Sequence, residues 1–380
     1  MQRHSQITTT KRPRSWLRRN FRWIIIFAVL LIAVLLIYVL RSYRHSSQMS
    51  AELLECTASQ DVTPFRDGFL FYDNTSLQCF GEKGNSRWSF PLGSNARFSV
   101  SSTHIVAWSG QNLFILNQNG SPSYSENQAD QVQFARIGTR YCASVIGDDT
   151  NPTLVIRNLD GTPVDEETEA YRDKMLLDMG FYGEADQYLW TLSMDVYGTA
   201  INTVLNTYQV GKMNTGIVDL GEFLAYKVLY EDGKLHVFTT QQMYTYDYKA
   251  VQDMSGTQLV YGWQLVGATV PERGSASMLL VPNSQMTTTQ SITQLRVLTG
   301  TADRRYTLPS ACVGAAIQGR NLYAVSPEYV YRADVDQQRF YAYSMPLPDH
   351  AVVDSLIGVT SGGYALVTCG DQVYSVSLPK

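Results

Sequence analysis

The sequence predicts an all-β fold, a β-propeller that follows a single transmembrane α-helix. Two observations carry this prediction. Pairs of short alternating strands recur at a nearly constant spacing through most of the 380 residues, and one uninterrupted apolar segment lies near the N-terminus. Together they divide the chain into a basic tail (1–22), a membrane segment (23–40), a short linker (41–50) and one large repeat domain (51–380).

The tail is basic and the remainder of the chain is acidic. Nine Arg and Lys residues, but no Asp or Glu, occur before position 50. The formal net charge of −4 for the whole chain therefore leaves 21 basic and 34 acidic residues, or −13, for the remainder. A domain with that charge repels polyanions. Nucleic acid is therefore not an expected partner.

The membrane segment Trp23–Leu40 contains 18 consecutive apolar or aromatic residues. As a helix it would be about 27 Å long, close to the hydrocarbon thickness of a bilayer. Trp23 and Tyr38 lie near its two ends, where aromatic rings prefer the lipid headgroups, and we assign them as membrane-interface anchors. The apolar run exceeds that of a cleaved signal peptide, and no small-x-small cleavage site follows it. An uncleaved signal anchor embedded in the lipid bilayer is the expected result.

The charge on the two sides of this segment predicts its orientation. Seven basic residues precede it, whereas only Arg41 and Arg44 follow closely. By the positive-inside rule, the tail is cytoplasmic and the repeat domain is extracytoplasmic. The span has no ionisable or hydroxyl-rich face, so transport through it is not expected.

The repeat domain contains eight units, each with an apolar alternating strand, a polar turn and a second alternating strand. Successive onsets are separated by 36 to 47 residues, with a mean of about 42. A period of about 40–45 residues is typical of a propeller blade with four strands. Eight blades are therefore predicted, with seven as the alternative. The first strands of the eight pairs begin at Phe69, Ile105, Tyr141, Tyr188, Lys234, Ser277, Leu322 and Tyr364.

Glycine turns flank several of these pairs, as in QNG ending at Gly120 and LDG ending at Gly161. Glycine accepts the positive φ that tight reversals need. The last pair ends almost at the C-terminus, which leaves its blade without an outer strand. The segment AELLECTAS (51–59) precedes the first blade, and we expect it to close the ring by pairing with the last blade.

The stretch EKGNSRW (82–88) resembles the turn-plus-tryptophan signature of quinoprotein-like propellers. QNGSPSY keeps an aromatic residue at the matching position, whereas LDGTPVD does not, and the WD and GH pairs of WD40 repeats are absent. The whole layout, from the tail KRPRSWLRRNFRW to the propeller, resembles a family of uncharacterised bacterial membrane-anchored proteins, the domain of unknown function 5711 family. That resemblance implies a Gram-positive envelope protein with no assigned reaction.

No catalytic, cofactor-binding or metal-binding residue is predicted. The three histidines of the repeat domain (His104, His236 and His350) lie in separate units, so a metal site is not expected. Asp148–Asp149 and Glu231–Asp232 lie at turns, where carboxylates bond to nearby backbone groups. The acidic run DEETEAYRD (165–173) is interpreted as a solvated loop between blades.

The cysteines are scattered singly, without the spacing of a metal or redox motif. Most lie on or beside predicted strands, where a thiol packs as a small apolar side chain. Core packing is therefore the expected role, with a Cys56–Cys369 disulfide across the ring closure as the alternative.

Two turns inside the strand pairs are longer than the rest, one around Tyr197 and one around Met286 and Thr287. Such turns lie on the face of a propeller that carries the connections between blades. We expect this face to bind a protein or glycan partner, which predicts a binding, sensing or scaffold module without catalysis. The alternative is an enzyme with its site in the central channel, either similar to quinone-dependent dehydrogenases or glycan-processing.

Overall fold

The computed structural model describes residues 30–32, 49–183, 186–195, 197–212, 214–271, 275–283, 291–348 and 351–380. Residues Met49–Leu378 form one compact unit. Among the described residues, no helix combines the length and the apolar character needed to cross a bilayer. The predicted span and its anchors Trp23 and Tyr38 lie outside the described residues, apart from helical positions 30–32.

Eight antiparallel sheets of four strands make up the compact unit, which confirms the predicted all-β propeller and its eight blades. The strand β1 (Ala51–Thr57) precedes all of them. In blades 1 to 4, four strands that follow one another along the chain form each sheet. These are β2 (Thr63–Phe65), β3 (Gly68–Tyr72), β4 (Ser76–Gly81), β5 (Ser86–Pro91); β6 (Arg97–Val100), β7 (His104–Ser109), β8 (Asn112–Asn117), β9 (Pro122–Asn127); β10 (Val132–Ile137), β11 (Tyr141–Ile146), β12 (Thr153–Asn158), β13 (Pro163–Glu167); and β14 (Met175–Tyr182), β15 (Tyr188–Asp195), β16 (Asn202–Gln209), β17 (Asn214–Gly221).

Blades 5 to 7 repeat this order, and blade 8 contains only three strands from the end of the chain. The strands are β18 (Ala225–Glu231), β19 (Lys234–Thr239), β20 (Gln242–Asp247), β21 (Gln258–Leu259); β22 (Trp263–Thr269), β23 (Ser277–Pro282), β24 (Ile292–Thr299), β25 (Ala302–Cys312); β26 (Gly314–Gln318), β27 (Asn321–Val325), β28 (Tyr329–Asp334), β29 (Tyr341–Ser344); and β30 (Ser355–Val359), β31 (Tyr364–Cys369), β32 (Gln372–Ser377). Short 3-10 helices occur at Glu169–Tyr171 and Met254–Gly256.

The predicted strand pairs are the second and third strands of each blade, and every one begins within one residue of the predicted onset. The first strands of neighbouring blades approach one another around the centre of the ring. The turns between second and third strands lie on the same face as the connections between blades, here called the upper face. The turns between first and second strands and between third and fourth strands lie on the opposite, lower face.

Each pair of neighbouring blades encloses one cluster of buried apolar side chains, and eight such clusters complete the ring. A four-stranded sheet has two faces, and stacking on both neighbours buries both of them. The cluster between blades 8 and 1 joins the two ends of the chain, because Leu366 and Val373 pack there with Phe69, Phe71 and Phe80.

Strand β1 fills the outer position of blade 8, the place that residues 51–59 were expected to take. It pairs with β32 through the partners Ala51 and Val376, Glu52 and Ser375, and Leu53 and Tyr374. Backbone bonds extend the pairing at both ends, from Ala58 N to Asp371 O (2.9 Å) and from Ser377 N to Ser50 O (2.9 Å). Leu54 and Cys56 point from this strand into the cluster shared with blade 1.

The predicted tryptophan signature corresponds to a contact that recurs between blades. The ring of Trp88, on the outer strand of blade 1, covers Gly120 in the last turn of blade 2, and its Nε1 donates to Gln118 O at 3.1 Å. Tyr124 covers Gly161 of blade 3 in the same way. Where the sequence lacks the aromatic residue, a smaller side chain takes its place, since Val164 lies over Gly211 and Leu54 lies over Gly84.

The acidic run 165–173 is not a solvated loop, contrary to the prediction. Its first residues belong to β13, and its 3-10 turn inserts Tyr171 between blades 3 and 4, where that side chain is fully buried. The phenol is satisfied there, because its oxygen lies 2.7 Å from Thr191 Oγ1 and donates to Tyr208 Oη at 2.7 Å. Of the carboxylates in the run, Glu166, Glu169 and Asp173 are exposed, whereas Asp165 and Glu167 are half-buried.

All five cysteines are free, and four of them are buried. The alternative Cys56–Cys369 bond is not formed, because the two side chains belong to clusters on opposite faces of blade 8. Burial raises the pKa of Cys142 and of Cys312 to about 12, so neither thiol provides a thiolate at neutral pH. Their role is packing, as the sequence predicts.

Candidate binding surfaces

Exposed apolar side chains on the upper face concentrate in blades 4 to 6. Tyr197 and Ile201 lie in the turn between β15 and β16, and Tyr197 is 58% exposed. Phe223 and Leu224 lie in the connection from blade 4 to blade 5. Tyr261, which is 73% exposed, lies in the next connection. These five residues are here called the upper patch.

The upper face of blades 1, 2, 3 and 8 is different. Its turns and connections comprise residues 58–62, 73–75, 92–96, 110–111, 128–131, 147–152, 168–174 and 370–371, all of which the structure describes. None of those positions has an exposed large hydrophobic side chain. Patches of exposed apolar surface are characteristic of interaction sites. Val352, in the connection from blade 7 to blade 8, is also exposed, so the exposed apolar side chains of this face concentrate in blades 4 to 6 but are not confined to them. That concentration selects one side of the ring as the candidate partner surface.

Of the residues predicted for this face, the structure describes only Tyr197. The backbone around it is fixed, because Asp195 Oδ1 accepts hydrogen bonds from Tyr197 N at 3.0 Å and from Gly198 N at 3.2 Å. Met286 and Thr287 lie outside the described residues. Turn length alone does not mark the face, since the turn 147–152 of blade 3 is as long as the turn 196–201.

A second candidate surface is a cleft of about 750 Å³ on the lower side of the interface between blades 5 and 6. It exists because β21, the outer strand of blade 5, has only two residues and leaves the outer part of this interface unfilled. Met243, Met278 and Leu298, each only 2–3% exposed, form an apolar floor. Charged side chains from both blades surround that floor. We call this feature the lower cleft.

The wall from blade 5 contains a buried histidine and carboxylate. His236 Nε2 lies 3.0 Å from Glu231 Oε2, and its Nδ1 lies 3.0 Å from Thr245 Oγ1. Glu231 also accepts from Ala276 N of blade 6 at 2.5 Å. The bond from His236 is the main reason that the pKa of Glu231 is lowered. Glu231 therefore joins two blades, and the prediction that it serves only its own turn is wrong.

Asp148, by contrast, has the predicted turn role. Its Oδ1 accepts from Thr150 N at 2.9 Å, from Thr150 Oγ1 at 2.6 Å and from Asn151 N at 2.8 Å. These bonds lower the pKa of the Asp148 carboxyl. A carboxylate oxygen so occupied supports the turn 147–152.

The wall from blade 6 contains two arginines on one indole ring. Arg296 and Arg305 are cross-strand partners, and their guanidinium carbons lie 5.8 Å and 5.6 Å from the centre of the Trp263 ring. Arg296 is buried and binds Asp303 through two bonds of 2.9 Å, and it donates a third to Leu259 O at 2.9 Å. Arg305 is exposed and faces the cleft.

The centre of the ring is a weaker candidate for a functional site than these two surfaces. Arg136 and Asp178 join the first strands of blades 3 and 4 through an ion pair of 2.9 Å. Within the ranges that the structure describes, no three His, Cys, Asp or Glu side chains are grouped so that they could hold a metal ion.

The sequence did not single out Phe223, Leu224 and Tyr261 or the lower cleft. For the upper patch, the sequence feature that could have indicated exposed residues was an aromatic residue next to a glycine, as in Tyr261–Gly262. The tight turn between Glu231 and Lys234 could have predicted the contact between Glu231 and His236, because diagonal neighbours on a hairpin share one face.

No protein-family model matches the chain, and no curated protein matches it in sequence. Among solved structures, Sqt1 of Saccharomyces cerevisiae is similar, with a TM-score of 0.55 at 8% identity over 87% of this chain and 100% of that chain. BamB from Moraxella catarrhalis has a TM-score of 0.48 at 9% identity over 87% of this chain and 96% of that chain. At these identities the likeness concerns the fold alone. The comparison with Sqt1 therefore agrees with the fold that the eight sheets show, an eight-bladed β-propeller.

Proposed function

We propose that this chain is a membrane-tethered, extracytoplasmic interaction module that binds a protein partner through the upper patch. The carrying observation is the group of exposed apolar side chains on the upper face of blades 4 to 6. Ile201, Phe223 and Leu224 have no polar side-chain atom, which favours a protein surface over a glycan. Tyrosines such as Tyr197 and Tyr261 are typical of the residues that dominate binding energy at protein interfaces.

The tether and the location rest on the sequence. The apolar segment 23–40 supplies the single-pass anchor, and the basic residues before it favour a cytoplasmic tail. The layout resembles the domain of unknown function 5711 family, which supports a place in the envelope of a Gram-positive bacterium. A rigid ring on a short linker keeps its partner close to the bilayer, as a scaffold or sensor requires.

The partner surface is tested by photo-crosslinking in the native cell. A photoreactive phenylalanine analogue at position 261 is expected to trap a discrete protein, whereas the same analogue at Tyr341, an exposed outer-strand position of blade 7, should not. Once that protein is identified, the combined change Tyr197→Ser and Tyr261→Ser should reduce its recovery by affinity purification without crosslinking about tenfold or more, because two such side chains commonly contribute over 1.4 kcal/mol.

The matched control is Tyr341→Ser, which removes an exposed tyrosine of the same kind from another side of the ring. Recovery should be unchanged in that variant. Equal recovery from the control and from the double variant would contradict a role for the upper patch.

The topology has its own test. Protease added to intact cells is expected to cut within the linker 41–50 and to release a folded fragment that begins near residue 49, since closed propellers resist digestion while exposed linkers do not. Mass spectrometry of the released fragment gives the cleavage site. If the folded fragment is released only after lysis, the proposed outside location is wrong.

A further inference from the structure

We propose that the lower cleft is a second binding site, one that takes a small anion with an apolar body. The anionic group is a carboxylate or a phosphate. This site lies on the face opposite the upper patch and does not depend on the partner proposed there. The charges of the two walls, the floor and the size of the cleft lead to this assignment.

The wall from blade 6 holds more positive than negative charge. Arg296 and Arg305 are directly opposite on neighbouring strands, an arrangement that is unfavourable for like charges. Asp303 neutralises only Arg296, which it binds through both of its carboxylate oxygens. Among the described residues, no carboxylate forms an ion pair with Arg305. The Arg305 guanidinium therefore offers its planar set of donors to the cleft.

The carboxylates around the cleft are mostly occupied. Glu231 accepts from His236 and from Ala276 N. Asp253 accepts from Lys234 Nζ at 2.8 Å and caps the 3-10 turn that follows it. Asp232 lies on the exposed rim. Few carboxylate oxygens are therefore available to bind a cation. An anion, by contrast, can bind the Arg305 guanidinium, the group best suited to hold a carboxylate or phosphate through two parallel hydrogen bonds.

The floor determines the rest of the ligand. Met243, Met278 and Leu298 present only carbon and sulfur, and methionine adapts to flat or irregular apolar groups. A volume of about 750 Å³ lies within the usual range for small-molecule sites. An anion without an apolar body would leave this floor unused. The arrangement thus favours compounds such as aryl or alkyl carboxylates and phosphate esters over inorganic phosphate.

The proposal is tested by titration calorimetry of the full-length protein in detergent. The probes are phenyl phosphate, benzoate, inorganic phosphate and benzylamine, the last being a cation of similar ring size. Phenyl phosphate or benzoate is expected to bind saturably, and the tighter of the two identifies the anionic group. Inorganic phosphate should bind at least tenfold more weakly, and benzylamine should not bind.

Arg305→Gln is expected to weaken the tighter anion at least tenfold, since it removes the unpaired guanidinium from an exposed position. Arg304→Gln is the matched control, because its side chain lies on the other side of the same strand and pairs with Asp336 at 3.0 Å. That variant should bind within about twofold of the parent. The probe series needs no substitution, so it remains decisive if Arg305→Gln alters the fold. Binding of benzylamine as tight as that of the anions, equal binding by Arg305→Gln, or no binding of any aromatic anion at millimolar concentration would overturn the proposal.

Discussion

The Leu54→Ala variant is expected to lose about 2–5 kcal/mol of unfolding free energy, a large share of the roughly 5–15 kcal/mol that folded proteins usually possess. Leu54 is 5% exposed and packs with Phe69 and Phe80 of blade 1 and with Val373 of blade 8. Its removal leaves a cavity at the interface between blade 8 and blade 1. Urea unfolding of the full-length protein, followed by tryptophan fluorescence, measures the change.

Leu53→Ala is the control for this experiment. Leu53 is the preceding residue of the same strand, but it is 55% exposed and points away from the cluster. Its truncation should change stability by no more than about 0.5 kcal/mol. If both variants unfold at the same urea concentration, β1 contributes only its backbone bonds, and its packing does not hold the ring closed.

This pair of variants also measures how the ring is closed. An open array of sheets would leave the outer edge of β32 unpaired and one apolar face of blade 1 in water. In the structure, β1 covers both, because it pairs with β32 while Leu54 and Cys56 fill the cluster next to blade 1. The Leu54→Ala variant should therefore also be digested faster by protease, with the first cuts in blade 8.

The pairing of second and third strands could be predicted for every blade, and the onset of each second strand to within one residue. Both faces of these strands are buried, as in β3 and β31, and tight turns separate them. The first and fourth strands were less visible. β26, GAAIQ, is half-buried along its whole length, and β9, PSYSEN, is mostly exposed, so neither shows the alternation that identifies a strand.

The acidic run illustrates a different limit. Composition identifies 165–173 as solvated, but one residue, Tyr171, decides its position by filling the space between two blades. That space exists only after blades 3 and 4 have formed, and local composition contains no information about it. The nearby charges are compatible with either arrangement, because Glu166, Glu169 and Asp173 stay exposed although Tyr171 is buried.

The candidate surfaces were predictable only in part. The long turn at Tyr197 was visible, but exposure of Phe223 or Tyr261 depends on which connection is left uncovered by its neighbours. The lower cleft exists because β21 is short, and its two walls come from different blades, with the histidine on blade 5 and the arginines on blade 6. Residues that are far apart along the chain and a strand of two residues produce no local sequence pattern.

The second large effect is expected for Gly120→Ala, which should cost about 2–5 kcal/mol. Gly120 has a φ of +76°, and an alanine in that region is strained by about 1–2 kcal/mol. A Cβ there would also lie 2.5 Å from Trp88 Cδ2, so the indole must move from its place against the turn. Forcing an extra methyl group into a packed contact typically costs a further 1–3 kcal/mol. Thermal or urea unfolding of the full-length protein measures the sum.

Two comparisons separate the strain from the displaced ring. Gly110→Ala, in the same blade, has a φ of +60° and no atom within 4 Å of the new methyl group, so it should cost only about 1–2 kcal/mol. In a Trp88→Ala background, Gly120→Ala should fall to that same value, because the two effects are coupled only through the ring. A full cost that persists without Trp88 would show that the indole does not dock on this turn. The recurring contact between an outer strand and the next glycine turn, from Trp88 to Leu54, would then not be what aligns one blade with the next.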